Sequence, residues 1–130
     1  MNLESLKVTV EKSAQELFEL LCDVRNFEKL MPENNTKFEV IGDDAFIFGL
    51  KGMPEITLEI KEKIAPSKIV LGAVGDRLPF TLVATIDEIS EHSSAVQLNF
   101  AGEFNAMMAM MMKSPIGNFI NTLTENMIKL

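Results

Sequence analysis

Apolar and polar residues alternate through most of this chain, with a period that shifts between that of a strand and that of a helix. Leu6, Val8 and Val10 alternate with polar neighbours, which predicts a first strand with one buried face. Ser13 and Glu16 then make the S-x-x-E signature of a capped helix start, and Leu17, Phe18, Leu20, Leu21 and Val24 give that helix its apolar face. A second short helix, with Phe27, Leu30 and Met31 on one side, is expected to end at Pro32 and the polar run Glu33-Asn34-Asn35. From there to Phe104 the period is two. Strands are predicted around Phe38 and Val40, over AFIFGL, around Ile56, Leu58 and Ile60, over KIVLGAVG, and around Phe80, Leu82, Ala84 and Ile86. The last strand carries Val96, Leu98, Phe100 and Phe104. The turns between these runs, Gly42-Asp43-Asp44, Gly52 to Pro54, Ala65-Pro66-Ser67, Asp76 to Pro79 and EHSS, are short, so the pairing should be antiparallel.

The tail from Asn105 to Leu130 returns to helical spacing. Met112, Ile116, Phe119, Ile120, Leu123, Met127 and Leu130 recur every three or four residues, a stripe that must be buried. Upstream of it, FNAMMAMMMKSP holds five methionines within residues 107–112. Met108 and Met112 fall on or beside the stripe, whereas Met107, Met110 and Met111 share the side occupied downstream by Asn118, Asn121, Thr122 and Glu125. Two arrangements would take these three out of water. A break at Ser114-Pro115, read as an N-cap followed by a first-turn proline, would rotate the segment inward. Otherwise a partner, a second copy of the chain among the candidates, would cover them.

Composition narrows the function classes. The chain has 130 residues, 47% of them hydrophobic, enough for one globular domain spanning residues 1–130. Its net charge of −7, with scattered lysines and arginine only at Arg25 and Arg77, excludes a nucleic-acid footprint. No apolar run is long enough to span a bilayer, so no stable membrane insertion is expected. The opening MNLESLKVTV lacks a basic leader and an apolar core, and Cys22 has no cysteine partner, which together predict a cytoplasmic protein.

The order strand, two short helices, about six strands and long helix resembles the START-like superfamily, also called the helix-grip or SRPBCC fold. The sharpest local match is VTVEKSAQELFELLCDVRNFEKLMPE, residues 8–33: a strand, a capped helix, an aspartate, a short aromatic-bearing helix and a proline. Members often carry tryptophan where this chain has Phe18 or Phe27, and this chain has none. The resemblance implies an α+β fold in which a curved antiparallel sheet of about seven strands wraps around the long C-terminal helix. It also implies a cavity for a small apolar molecule. It implies no one activity, since this fold hosts lipid carriers, hormone receptors, cyclases and chaperone activators.

On that frame the expected cavity wall is Phe27, Leu30 and Met31 from the short helix, and Phe38, Phe46, Phe48, Ile56, Leu58, Phe80, Leu82, Phe100 and Phe104 from the sheet. Met108, Met112, Ile116 and Phe119 would close it from the long helix, and Arg77 is a candidate anchor for a ligand carboxylate. Nine phenylalanines without tyrosine or tryptophan give aromatic walls with no phenolic or indole donor, which suits holding a molecule better than transforming it. The leading reading is therefore non-enzymatic binding or transport of a lipid-like, quinone-like or polyketide-like ligand. A protein-interaction module using the methionine surface is the alternative. A cyclase or dehydratase type of enzyme is the third, and it would need Glu59, Glu103 or His92 inside the cavity. No cofactor and no metal is expected: thioethers suit Cu(I), but Cys22 and His92 are remote from the methionines. Cys22 reads as a small buried hydrophobe, His92 as a solvated turn residue, and Lys61-Glu62-Lys63 as the solvated end of a strand.

Overall fold

The computed structural model describes residues 1–53, 55–74 and 80–130. Its elements run β1 (Asn2–Glu4), β2 (Val8–Val10), α1 (Ala14–Cys22), a short 3₁₀ helix (Val24–Leu30), β3 (Asn35–Val40), β4 (Ala45–Leu50), β5 (Ile56–Ile64), β6 (Lys68–Ala73), β7 (Phe80–Ser90), β8 (Ser93–Gly102) and α2 (Ala106–Met127). The strands form one antiparallel sheet in the order β1-β8-β7-β6-β5-β4-β3, with β2 also paired to β8. Pro54 and residues 75–79, including Arg77 and the expected turn from Asp76 to Pro79, lie outside the described residues.

The two-residue period decides what faces inward. On β5 Ile56, Leu58 and Ile60 are buried, and on β7 Leu82, Ala84 and Ile86; Val96, Leu98 and Phe100 on β8 complete the inner face. Beyond Ile60 the Lys61-Glu62-Lys63 end of β5 is exposed. On the other side of the core stand Leu17, Phe18 and Leu21 of α1, Val24, Phe27 and Leu30 of the 3₁₀ helix, and Ile116, Phe119, Ile120, Leu123 and Met127 of α2. The sheet thus curls around α2 and is closed at one end by α1 and the 3₁₀ helix.

Local chemistry sets the element ends. Ser13 Oγ accepts from Glu16 N at 3.1 Å and the Glu16 carboxylate accepts from Ser13 N at 3.5 Å, so both halves of the capping box form. Asp23 caps the 3₁₀ helix by accepting from Arg25 N, and its carboxylate also receives Arg25 Nε and Nη2 at 3.0 and 2.8 Å. These bonds hold Asp23 below the usual carboxylate range. Gly42 and Gly52, with φ of 87° and 86°, occupy turns that only glycine enters without strain.

Three expectations are corrected. The first strand is two strands, and Leu6, predicted to be buried, is 54% exposed between them. The cause is Ser5, which turns inward and accepts from Leu98 N at 2.9 Å, while its own N–H donates to the Leu98 carbonyl at 2.8 Å. Val40, at the end of edge strand β3, is exposed rather than buried. Finally, α2 runs unbroken through Ser114-Pro115, so the expected rotation of the methionine segment does not occur. Asn105, not Ser114, is the N-cap; its Oδ1 accepts from Met108 N at 2.9 Å.

Candidate functional site

The inner face of the sheet and α2 do not meet evenly along their length. At the 3₁₀ end the interior is solid. Phe46 is fully buried within a ring cluster, its centroid 5.1 Å from Phe27, 5.2 Å from Phe38 and 6.0 Å from Phe48. Leu30 and Leu58 are buried in the same core, with Met31 and Phe38 half-buried against it. None of Phe27, Leu30, Met31, Phe38, Phe46 or Leu58, all expected in the cavity wall, lines the cleft found at the other end of the core.

Toward the start of α2 the packing loosens into a cleft. It is lined by Phe48, Leu50, Met53, Ile56, Phe80, Leu82, Phe100, Phe104, Met112, Ile116, Phe119 and Ile120. Phe48 and Phe119 stack across it at 4.9 Å and 7° and divide it from the solid end. Phe80, Phe100 and Phe104 stand in series along its far wall, with centroids 4.8 and 6.0 Å apart. Met53, Phe80, Phe104 and Met112 are the half-buried rim; the other wall residues belong to the buried core. The volume is about 20 Å³. That admits about one water-sized sphere, well short of the roughly 300–1,000 Å³ of a typical ligand site.

The lining carries no titratable side chain among the described residues. Glu59 lies on the opposite face of β5, paired with Lys61 at 3.4 Å; Glu103 and His92 are exposed. Met108 is half-buried and does not reach the cleft. Met107, Met110 and Met111 face solvent at 73%, 82% and 69% exposure. Cys22 is half-buried outside the cleft, and burial pushes its thiol up. Among the described residues no group of three or more His, Cys, Asp or Glu suited to a metal forms, and no helix is long and apolar enough to cross a membrane.

Three wall residues escaped the sequence reading. Leu50 continues the alternation of Phe46 and Phe48 by one step, and Ile120 adjoins Phe119 on the helix stripe, so both were within reach of periodicity. Met53 sits in a turn, where no period points anywhere.

No family model and no curated protein matches the sequence. Solved structures do match by shape. Norcoclaurine synthase from Thalictrum flavum superposes with a TM-score of 0.77 at 10% identity, over 99% of this chain and 84% of that one. The chain has the START-like fold. A conserved protein from Geobacillus kaustophilus gives a TM-score of 0.69 at 14% identity, over 99% and 93% of the two chains. The di-domain ARO/CYC BexL from the BE-7585A biosynthetic pathway gives 0.67 at 14%, with 97% of this chain covering 46% of that one. At such identities the START-like likeness concerns architecture: an antiparallel sheet with a long C-terminal helix.

Proposed function

We propose that the protein binds a small hydrophobic molecule, non-enzymatically, in the cleft between the sheet and α2. The observation that carries this reading is the make-up of the lining: every described residue on it is a hydrocarbon or thioether side chain, gathered at the loosely packed end of the grip. Such a lining offers a ligand the transfer of apolar surface out of water, about 25 cal/mol per Å², and no group to take up or give a proton. The positions of Glu59, Glu103 and His92 outside it favour holding over transformation. Norcoclaurine synthase, on the same fold, has been crystallised with dopamine and hydroxybenzaldehyde. A ligand larger than a single water must displace the rim. Met53 and Met112 are suited to that, since an unbranched thioether changes rotamer at little cost.

A fluorescence titration with neutral 1-aminoanthracene tests the reading. The wild-type protein should bind the dye, and Ile116→Phe, which adds bulk to a buried wall position, should weaken binding about tenfold or more. Met110→Gln with Met111→Gln should leave it unchanged. Failure of the wild type to bind, or equal binding by Ile116→Phe, would remove the cleft as the site.

A second reading rests on a separate observation, the exposure of Met107, Met110 and Met111 on the outer side of α2. A helix segment apolar all round is ordinarily covered, and a second copy of the chain would cover it. Light scattering across dilution reads this directly: a monomer at all concentrations sets the dimer aside.

A further inference from the structure

The two halves of α2 are held very differently. From Ile116 to Met127 the helix buries Ile116, Phe119, Ile120, Leu123, Thr124 and Met127. It is also tied by side-chain hydrogen bonds to three other places in the fold. Asn121 Oδ1 accepts from Leu6 N at 2.9 Å, Asn126 Nδ2 donates to the Leu30 carbonyl at 2.9 Å, and the Thr124 hydroxyl meets the buried Ser5 hydroxyl at 2.9 Å. From Ala106 to Pro115 not one side chain is fully buried, and among the described residues none hydrogen-bonds outside the segment. Met112 alone in this half lines the cleft.

The junction is weak for a covalent reason. Pro115 has no N–H to give the Met111 carbonyl and crowds the preceding turn, a penalty of about 3 kcal/mol relative to alanine in a helix interior. Gly117, two residues on, costs roughly another 1 kcal/mol. No packing explains the glycine: a Cβ built on it meets nothing within 4 Å. By contrast, AMMAMMMK is made of strong helix formers and is capped by Asn105, so the first half keeps its own helical form. The weakest point of α2 therefore coincides with the boundary between its loose and anchored halves, directly above the cleft.

From this coincidence we infer that Ala106–Pro115 is a lid, swinging about Pro115–Gly117 and about the chain at Phe104-Asn105, while Ile116–Met127 stays fixed. This deepens the binding reading and rests on it: the closed cleft of about 20 Å³ is the lid-down state, and lifting Met112 with its turn opens the phenylalanine wall to an apolar guest. Regions with few buried contacts open locally at low free energy, which is the behaviour a lid requires.

Amide hydrogen exchange on the intact protein, followed by NMR without any ligand, tests the hinge. Amides of residues 110–114 should exchange at least about 100-fold faster than those of residues 120–126, with the change falling at Pro115 rather than grading smoothly from the helix start. Pro115→Ala combined with Gly117→Ala should slow exchange in the first half about tenfold or more, so that the step at Pro115 shrinks, whatever slowing the added global stability brings to the second half. The same double variant should bind 1-aminoanthracene with a slower association rate. Uniform protection along α2, or a smooth gradient indifferent to the double variant, overturns the lid whether or not the dye binds. So does a stiffened helix with an unchanged association rate. A step at Pro115 in a protein that binds no dye supports the hinge and overturns the binding reading instead.

Discussion

Phe119 is the side chain whose removal most directly converts the closed cleft into an open one. It is 7% exposed and stacks on Phe48 at 4.9 Å, at the border between the solid and loose ends of the core. Phe119→Ala removes the ring from a wall that already has a void behind it, so neighbours on the sheet cannot collapse fully into the space. Phenylalanine-to-alanine changes in cores cost about 3–5 kcal/mol, part of which here is the lost ring stack, about 0.5–1.5 kcal/mol. For a domain of this length, 1 kcal/mol moves the melting temperature by roughly 3–5 °C, so the variant should melt about 10–20 °C below the wild type. The enlarged space is lined by hydrocarbon and should remain dry, which makes it a site for benzene. At ten times its dissociation constant benzene would restore about 1.4 kcal/mol, or roughly 4–7 °C. Thermal melts with and without benzene measure both quantities. A loss near 1 kcal/mol without rescue would mean that the walls closed over the gap, and the reasoning from a pre-existing void would be refuted.

Other consequences are independent of any ligand. Ser5→Ala leaves the buried Leu98 N without its acceptor, while Thr124 keeps its 2.7 Å bond to the Ile120 carbonyl, and urea denaturation should show a loss of about 1–3 kcal/mol. Gly117→Ala alone should stabilise by roughly 0.5–1 kcal/mol, read by the same method; destabilisation would point to a contact the helix geometry does not contain. Dilute hydrogen peroxide should oxidise Met107, Met110 and Met111 first, Met112 later and Met127 last, as mass spectrometry of timed digests would record. Burial raises the Cys22 pKa, so iodoacetamide should modify it more slowly at pH 8 than a free thiol. The sign of the stability effect follows: the folded state holds the Cys22 proton more tightly than the unfolded state. Its contribution is complete below the ordinary thiol range and is lost as pH climbs through the raised value, a loss that Cys22→Ser should abolish.

Most of the architecture was legible because it rests on periodicity and capping. Ser13 and Glu16 announced α1, the alternation in β5, β7 and β8 gave the inner face, and the stripe from Ile116 to Met127 placed the long helix. What failed was local rule against tertiary context. A proline preceded by serine reads as a helix start, yet the burial beginning at Ile116 and the cap at Asn105 carry one helix through it. The split of the first strand was hidden because an inward-turned serine has no apolar signature. The site was legible by face but not by depth. Alternation says that Phe46 and Phe48 both point inward; it cannot say that Phe46 is enclosed by three rings while Phe48 borders open space. Void position depends on how sheet curvature and helix direction diverge, and that is a property of the assembled layers.

The nine methionines provide the most direct measurement of the central claim, since they sample each region at issue. Met53 and Met112 stand on the cleft rim, Met107, Met110 and Met111 on the outer side of α2, Met31 beside the solid end, and Met127 in the core. With the methyl groups labelled with ¹³C, a titration with 1-aminoanthracene should shift the Met53 and Met112 resonances together, saturably, while those of Met31 and Met127 stay in place. Shifts confined to Met107, Met110 and Met111, with Met53 and Met112 unmoved, would place the apolar guest on the outside of the helix and contradict the cleft.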